Sequence, residues 1–330
     1  MTDHVRIGVL GAATIAPTAV IRPARSSTVA EVVAVAARSP ERARAFADKH
    51  GIARVHGSYE ELLADPAVDA VYNPLPNSLH GRWTLAALEA GKHVLCEKPF
   101  TANASEAAEV AKAAGASGLV VMEAFHYRYH PLALRVAEVV QSGVLGPLRH
   151  VEATVAFPLP VFSDIRYDYS LAGGAMMDAG CYAVHMIRLM GGEEPEVRSA
   201  KALLRGPSID RAMRASVRFP SGHTGSVTAS LWSSTVLKLS MKAIGENGTV
   251  NVFNPLGPQA YHRLTLKLRD RRTSESFGRR ATYAYQLDAF TDAVLHGKPF
   301  PTTADDAVRN MTVIDSIYRA AGLPLRRPAQ

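Results

Sequence analysis

Residues 94–99 combine a short apolar strand with the charged tripeptide Glu97-Lys98-Pro99. Ligands of open α/β sheets bind outside the carboxyl ends of the strands, so Lys98 is expected to face a cleft. Pro99 ends the strand and restricts the backbone next to Lys98. Taken alone, the tripeptide could also be an ordinary surface turn with a solvated lysine. Its position after a strand nevertheless predicts an active-site lysine.

The elements that position this lysine are strands and helices in alternation over the first 120 residues or so. Strands are predicted at 5–10, 32–37, 69–73, around Val94 and at 119–122, and helices at 40–50, 78–90 and 105–114. Such alternation predicts parallel strands with crossover helices, a doubly wound Rossmann sheet. Ser39 and Ser105 are the predicted helix N-caps, and Gly91 and Gly115 the predicted helix ends.

The loop after the first strand is the expected pyrophosphate site, because backbone N–H groups and a helix N-terminus meet there. Gly11, Ala13 and Ala16 occupy the three positions of a degraded G-x-G-x-x-G pattern, in which alanine replaces the middle glycine. A plain tight turn is the alternative. We expect Gly11, Ala13, Thr14 and Ile15 to contact the cofactor.

The end of the second strand indicates which cofactor is bound. A free ribose 2′-hydroxyl normally meets an Asp or Glu there, but this chain has Arg38 and Ser39, with Arg42 one helical turn further on. Guanidinium and hydroxyl groups suit a 2′-phosphate, whereas a surface arginine is the alternative. NADP(H) is therefore favoured over NAD(H), which stays possible.

Several motifs together resemble the Gfo/Idh/MocA oxidoreductase family. They are the loop at 11–16, Asn-Pro-Leu-Pro-Asn-Ser-Leu-His at 73–80, Glu-Lys-Pro at 97–99, Gly-Gly-Ala-Met-Met-Asp-Ala-Gly-Cys-Tyr at 173–182 with Val184-His185, and Gly-Lys-Pro-Phe-Pro-Thr at 297–302. Tyr182 resembles the branch of dimeric dihydrodiol dehydrogenases, xylose dehydrogenases and glucose-fructose oxidoreductase. Inositol dehydrogenases have histidine at this position.

The resemblance implies a Rossmann domain at 1–122 and an α+β domain at 123–330 for substrate binding and oligomerisation. The second domain is expected to contain a large, mainly antiparallel open sheet, and strand-like alternation recurs from 148 to 268. A C-terminal helix at about 303–321 is expected to pack back on the first domain. Family members dimerise through the free face of the sheet, so we expect a homodimer or a higher homo-oligomer.

The chemistry implied by the resemblance is hydride transfer between nicotinamide and a CH–OH or C=O carbon. Tyr182 could move the hydroxyl proton if its pKa were lowered, and the ammonium of Lys98 would lower it. Lys98 could also polarise the substrate carbonyl directly. Asp178, on the same helix face as Tyr182, could bind a substrate hydroxyl or orient Lys98. Which of Lys98 and Tyr182 meets the substrate oxygen first stays open.

Further contacts are expected from residues near these motifs. The cofactor is expected to meet residues after the fourth and fifth strands and at the domain junction, namely Pro74, Leu75, Asn77, His80, Glu97, Lys98 and Arg128, with Asn73 and Pro76 beside them. The substrate is expected to meet Lys98, Asp178, Tyr182, His126 and Tyr167, with specificity set by the aromatic segment 157–170. Turn chemistry or core packing is the alternative for several of them, including His185.

Composition bounds the remaining possibilities. The 330 residues carry a net charge of +7, but the basic residues are dispersed, which argues against nucleic acid. Their densest cluster, at 269–280, resembles a mobile polar loop. No apolar run is long enough to span a membrane, and no signal peptide is recognisable, so a cytoplasmic protein is expected. Asp178, His185 and His126 could in principle gather around Zn²⁺, but they lack ligand spacing, and no metal is expected.

Two other functions occur among proteins of this kind. A glycosidase could hold NAD tightly and oxidise and re-reduce its sugar transiently, although Arg38 in place of an acidic residue argues against it. A non-catalytic sugar-sensing or cofactor-sensing regulator need not keep Lys98 and Tyr182, so their presence argues for an enzyme. The substrate and the physiological direction of the reaction do not follow from the sequence.

Overall fold

The computed structural model describes residues 4–329 and divides into two compact units. The first contains the chain up to His126 together with Tyr283–Val308, and the second contains Tyr127–Thr282 and Arg309–Ala329. The first unit thus continues four residues past the expected boundary after residue 122, and the chain returns to it at Tyr283–Val308. Each unit is therefore made of separate stretches of sequence.

The first unit is built on a six-stranded parallel sheet in the order β3-β2-β1-β4-β5-β6. Its strands are β1 (Val5–Leu10), β2 (Ala30–Ala36), β3 (Arg54–His56), β4 (Ala70–Asn73), β5 (His93–Cys96) and β6 (Val121–Glu123). Its helices include a π-helical turn (Pro17–Ile21) leading into α1 (Arg22–Arg25), then α2 (Pro40–His50), α3 (Tyr59–Ala64), α4 (His80–Glu89) and α5 (Ala104–Ser117). The predicted doubly wound Rossmann sheet is confirmed.

Two helix boundaries differ from those predicted for α5. Asn103, not Ser105, is the N-cap, since its side chain accepts a hydrogen bond from the Glu106 backbone N–H at 3.0 Å. Gly115 lies inside the helix, and Gly118 ends it with a left-handed φ of 65°. The Glu106 carboxylate adds to this helix start, because it accepts from the Ala102 N–H at 2.8 Å.

The second unit contains an eight-stranded sheet in the order β14-β13-β12-β11-β7-β10-β9-β8. Its strands are β7 (Leu148–Ala156), β8 (Glu196–Leu204), β9 (Asp210–Arg218), β10 (Thr224–Ser230), β11 (Lys238–Gly245), β12 (Gly248–Phe253), β13 (Arg263–Leu268) and β14 (Arg272–Glu275). The β7–β10 pair is parallel and the other pairs are antiparallel. The predicted large, mainly antiparallel sheet is confirmed.

Helices cover one face of this sheet. The second unit holds α6 (Pro131–Gln141) and α7 (Cys181–Gly191), and α7 packs on β7, β10 and β11. The side chains of Val151, Ala153 and Val155 on β7 are buried, whereas Glu152 between them is partly exposed. The prediction of a mobile polar loop at 269–280 is wrong in part, because β14 pairs with β13 there.

Two further helices follow the sheet: α8 (Thr282–His296) and α9 (Ala304–Ala320). The segment between them lies along the edge of β6 in the first unit. Thr302 donates its hydroxyl to the Glu123 carbonyl at 2.7 Å, and the Glu123 N–H donates to the Thr302 carbonyl at 3.0 Å. Residues 304–308 of α9 group with the first unit, and its remainder groups with the second.

Candidate active site

The loop after β1 has the geometry of a phosphate-binding turn. Gly11 has a φ of 93°, which a side chain rarely allows, and its N–H donates to the Ala36 carbonyl at 2.7 Å. A Cβ at Gly11 would also come within 3.1 Å of Leu75 Cδ2. Thr14 and Ile15, further along the loop, are exposed. The predicted pyrophosphate loop is therefore accessible and tightly turned.

Two exposed guanidinium groups follow β2, as predicted, on Arg38 and Arg42. Ser39 lies between them, but its hydroxyl accepts a hydrogen bond from the Arg42 N–H at 3.2 Å and donates to the Glu41 carboxylate at 2.7 Å. Ser39 is the N-cap of α2. Its side chain therefore fixes the start of the helix that carries Arg42.

Tyr59 is a further residue of this region, which sequence reasoning missed. Its hydroxyl lies 3.7 Å from the position of a Cβ at Gly11, and its ring meets Trp83 edge-on at 4.8 Å. Burial raises the pKa of Tyr59, and the nearby charges of Arg38 and Arg42 oppose this rise. The glycine turn, the two guanidinium groups and the phenol thus share one corner of the sheet. The signal in the sequence is Ser58-Tyr59, a helix start directly after β3.

Lys98 follows β5 at the carboxyl edge of the sheet, where the sequence placed it. Glu97 is buried, accepts a hydrogen bond from the Tyr72 hydroxyl at 2.7 Å, and its carboxylate lies 3.3 Å from the Lys98 backbone N–H. The Lys98–Pro99 peptide bond is cis. These contacts indicate that Glu97, predicted to bind the cofactor, positions the backbone that carries Lys98.

His80 also supports this segment. Its ring is 1% exposed, with Nδ1 2.8 Å from the Pro99 carbonyl and Nε2 2.6 Å from the Leu75 carbonyl. Burial lowers the pKa of His80 to about 4, so the ring is neutral near pH 7. A neutral imidazole has one N–H and donates to one carbonyl at a time. His80 therefore lies between the Leu75 and Pro99 segments and donates to one of their two carbonyls, and its contact with the cofactor stays a prediction.

The turn after β4 carries the other predicted cofactor contacts. Asn73 is buried and donates its side-chain amide to the His80 carbonyl at 3.1 Å. Pro74 and Asn77 are partly exposed, whereas Leu75 lies against the Gly11 turn. Asn73 therefore shapes the turn, and Pro74 and Asn77 present its accessible surface.

His126 lies near Lys98 in the first unit. Its ring packs on Tyr283 with a centroid distance of 4.2 Å. Burial, followed by the positive charge of Lys98, lowers the pKa of His126 to about 3. A neutral, aromatic wall beside the lysine is suited to a nicotinamide or a sugar ring.

In the second unit, Asp178 lies in a π-helical turn (Met176–Gly180) that leads into α7. Its carboxylate accepts a hydrogen bond from Arg166 Nε at 3.0 Å, and Arg166 Nη1 contacts Asp164 at 3.0 Å. Sequence reasoning missed Arg166 as a partner of Asp178. An ion-paired carboxylate accepts hydrogen bonds and donates none, which suits the binding of a substrate hydroxyl.

Tyr182 lies in the first turn of α7 and is 7% exposed. Its ring meets Tyr127 at 6.1 Å, and the Tyr127 hydroxyl lies 2.5 Å from Nδ1 of His185. The Asn310 amide donates to the Cys181 carbonyl at 3.3 Å, beside Tyr182. His185 is therefore a buried partner of Tyr127.

Two other predicted contacts lie in this unit. Arg128 Nη1 is buried and has no hydrogen-bond partner among residues 4–329, so it suits an anionic or carbonyl group of a ligand. Tyr167 donates its hydroxyl to the Leu159 carbonyl at 2.7 Å and lines a cavity of about 490 Å³ together with Phe162, Asp164 and Arg205. The segment 157–170 thus borders an open, mixed polar and aromatic cavity.

The structure also limits other kinds of site. Within residues 4–329, no three His, Cys, Asp or Glu side chains are arranged to hold a metal ion. In the same part of the chain, the helices are too short or too polar to cross a bilayer.

Comparison with known proteins gives the family. Residues 5–125 match the model of an oxidoreductase family with an NAD-binding Rossmann fold, and residues 133–251 match the Gfo/Idh/MocA C-terminal domain. The chain belongs to the Gfo/Idh/MocA family. It is therefore an NAD(P)-dependent oxidoreductase of the dehydrogenase and reductase type, and the predicted family, branch and enzyme class are confirmed.

Three members of the family illustrate the similarity. A D-xylose 1-dehydrogenase (NADP(+)) from Haloferax volcanii is 39% identical, over 95% of this chain and 96% of its own. A bovine trans-1,2-dihydrobenzene-1,2-diol dehydrogenase is 37% identical over 68% of this chain and 67% of its own. The crystal structure of a 3-ketoreductase from Actinomadura kijaniata with NADP and TDP-benzene superposes with a TM-score of 0.87, at 30% identity, covering 96% of this chain and 98% of that one.

Proposed function

We propose that this protein is an NADP(H)-dependent dehydrogenase or reductase acting on the CH–OH or C=O group of a sugar, a polyol or a cyclic diol. The observation that carries the proposal is Lys98, an ammonium group at the carboxyl edge of a nucleotide-binding sheet, whose backbone is fixed by Glu97. Retention of this group favours an enzyme over a sensing protein, and Arg38 argues against the glycosidase.

The first unit fits NADP(H). The turn at Gly11 would hold the pyrophosphate with backbone N–H groups, and Arg38 and Arg42 would pair with the 2′-phosphate. Tyr59 would add a hydroxyl to the same corner. When bound, the nicotinamide supplies or accepts the hydride. The NADP-dependent xylose dehydrogenase and the NADP complex of the ketoreductase support this choice of cofactor.

Proton handling is assigned to Lys98 and Tyr182. The Lys98 ammonium would stabilise negative charge on the substrate oxygen, and the Tyr182 phenol would exchange the proton of the hydroxyl. Asp178, paired with Arg166, would accept a hydrogen bond from a neighbouring substrate hydroxyl. Arg128, with its unpaired Nη1, would bind the cofactor or a polar substrate group. His126 would pack against a ring of substrate or cofactor, and Tyr167 would border the substrate.

A free sugar is the substrate class we favour, since the xylose dehydrogenase is similar over nearly the whole chain. A keto-sugar attached to a nucleotide is the second candidate, because the 3-ketoreductase covers the same share of the chain with the same fold. We also propose a cytoplasmic homo-oligomer that pairs through the polar face of the large sheet. Light scattering during size-exclusion chromatography tests the oligomeric state.

A substrate screen tests the activity. Aldoses, ketoses, inositols, dihydrodiols and a dTDP-linked sugar would be offered with NADP⁺ and NAD⁺, or the keto forms with NADPH. We expect turnover of a free sugar, with kcat/KM for NADP⁺ about tenfold or more above that for NAD⁺. Release of nitrophenol from an aryl glycoside without net change of cofactor would contradict the proposal, as would binding without turnover across all the substrates.

A cofactor titration tests the 2′-phosphate corner without any substrate. Tyr59→Phe removes one hydroxyl while keeping the ring contact with Trp83. NADPH should bind about five- to tenfold more weakly, the effect of one lost hydrogen bond, while NADH binding should change little. The fluorescence of NADPH and that of NADH, each in its own titration, measure the two affinities. Equal losses for the two cofactors would mean that Tyr59 does not face the 2′-phosphate.

A further inference from the structure

The C-terminal tail after α9 contains an arginine that is fully buried. Arg326 lies outside any helix or strand, yet both it and Asp210 of β9 have 0% exposed side chains, and Arg326 Nη2 lies 2.7 Å from Asp210 Oδ1. Charged side chains are seldom buried completely unless they are paired. The tail is therefore attached to the second unit through a specific ion pair.

The same two side chains bind both ends of one turn, Gly173 to Met176. Arg326 Nε donates to the Gly173 carbonyl at 2.6 Å, and Asp210 Oδ2 accepts from the Met176 N–H at 2.7 Å. Tyr318 of α9 donates its hydroxyl to Asp210 Oδ1 at 3.0 Å. The ion pair thus fixes the backbone of the turn directly, through the main-chain atoms.

Gly174, at the centre of this turn, shows how close the approach is. Its φ is 130°, and a Cβ there would overlap the Asp210 carboxylate and come within 2.7 Å of Arg326 Nη2. Only glycine combines this backbone conformation with this contact. Gly174 is therefore explained by the ion pair packed against it, whereas a Cβ at Gly173 would meet the carbonyls of Arg166 and Asp168 at 2.6 and 2.7 Å.

The turn leads directly into the helix that carries Asp178 and Tyr182. The Asp178 N–H donates to the Gly174 carbonyl at 3.0 Å. We infer that Arg326 and Asp210 are positioning residues of the active site, which fix the turn from which Asp178 and Tyr182 project. The inference rests on the proposed function, in which those two side chains act on the substrate.

Stability alone gives a weak reason for this arrangement. The cost of removing two charges from water often equals or exceeds their attraction, so a buried pair contributes little compared with neutral packing, whereas breaking one partner is strongly destabilising. The guanidinium of Arg326 can, however, hold the turn before α7 rigidly, because its planar group forms several directed hydrogen bonds at once. The two explanations differ in what happens when both charges are removed together.

The experiment compares Arg326→Met with the double variant Asp210→Asn/Arg326→Met. The single variant leaves a buried carboxylate unpaired and should be destabilised. In the double variant no charge is unpaired, and the amide oxygen that replaces the carboxylate can still accept from the Met176 N–H, so thermal stability should recover largely. The hydrogen bond from residue 326 to the Gly173 carbonyl is missing in both variants. Arg327→Met, an exposed neighbour, is the matched control.

Hydrogen–deuterium exchange of residues 173–184 is the main readout, because it needs no substrate. We expect exchange in the double variant about tenfold faster there, with the amides of β7 and β10 unchanged. With the substrate found in the screen, kcat should fall about tenfold or more while NADPH affinity is kept. Unchanged exchange at 173–184 in the double variant, or a kcat that recovers with stability, would overturn the inference. Absence of turnover in the unmodified chain would instead contradict the proposed function.

Discussion

The two groups proposed to handle the proton are supported in different ways. We call Lys98 with its flanking residues Glu97 and Pro99 the lysine side, and residues 178–182 the tyrosine side. On the lysine side, the Tyr72–Glu97 and His80–Pro99 contacts join residues only 25 and 19 positions apart. The lysine side is thus built mainly from neighbouring strands and the loops that follow them.

The tyrosine side depends on distant parts of the chain. The contact of Arg326 with the Gly173 carbonyl spans 153 residues, and that of Asn310 with the Cys181 carbonyl spans 129. The Rossmann sheet positions a residue simply by the strand that precedes it. A helix laid on an antiparallel sheet has no such rule, so its position has to be specified by side chains from elsewhere.

Removal of the charge on the lysine side should have the largest effect. Lys98→Met keeps the length of the side chain but loses the ammonium, so kcat should fall by about a thousandfold or more while NADPH binds within about threefold of normal. Stopped-flow turnover and fluorescence titration measure the two quantities. Lys112→Met, exposed on α5, is the control. Normal turnover would show that Lys98 has no part in the chemistry.

Removal of the phenol on the tyrosine side should cost somewhat less, about a hundredfold in kcat, because Lys98 still stabilises the oxygen charge. The variant is Tyr182→Phe, with the exposed Tyr261→Phe as its control. The pH dependence of kcat is the informative measurement. If Tyr182 is the proton carrier, the limb of the pH profile that belongs to it disappears. If the limb persists, Lys98 carries the proton.

A change of His80, which supports the segment after β5, should reduce kcat by an intermediate amount. His80→Gln replaces the buried ring between the Leu75 and Pro99 carbonyls with a flexible amide, and kcat should fall about tenfold with a smaller loss of NADPH affinity. Because burial holds the pKa of His80 at about 4, the loss should be constant from about pH 6 to 8. A loss that varied with pH would mean that the ring is charged in the native protein.

A change of stability in the first unit should be the smallest effect. Burial raises the pKa of Glu106 from 4.5 to about 7, so the folded protein keeps a proton that the unfolded chain has lost. The free energy of unfolding should therefore fall by about 3 kcal/mol as the pH rises through this interval and then level off.

Glu106→Gln tests this dependence, because it keeps an acceptor for the Ala102 N–H without a titratable group. Calorimetry from about pH 5 to 8 should show a flatter curve and a higher unfolding temperature at pH 8. Glu109→Gln, exposed on the same helix, should leave the curve unchanged. A curve as steep as that of the unmodified protein would place the pH dependence at another group.

Features set by local sequence, as on the lysine side, could be predicted from the sequence. Strand-helix alternation, the cationic end of β2 and the Glu-Lys-Pro tripeptide are local patterns, and the structure has them where they were expected. Asn103 and Glu106 have the spacing of a capping box, a local pattern that indicates Asn103, rather than the predicted Ser105, as the N-cap. The edge strand β14 was obscured by its polar composition, because an edge strand has little apolar signal.

Residues that act through distant contacts were not readable from the sequence. Arg166 lies in a short 3₁₀ turn (Ile165–Tyr167), 12 residues from its partner Asp178, and no periodicity links the two. Arg326 lies in a Pro- and Arg-containing tail whose composition is typical of an exposed end. Only the tertiary structure shows that one carboxylate, Asp210, brings the tail and the motif together.

The large sequence separation of these contacts determines when each can form during translation. When Gly173 is added to the growing chain, Arg326 is still 153 codons from being translated, and Thr302, which lies along β6, is 179 codons behind Glu123. Neither unit can reach its final form as its first stretch emerges. The turn that leads to Asp178 and Tyr182 therefore gains its Arg326 contact only after this later stretch of the chain has been translated.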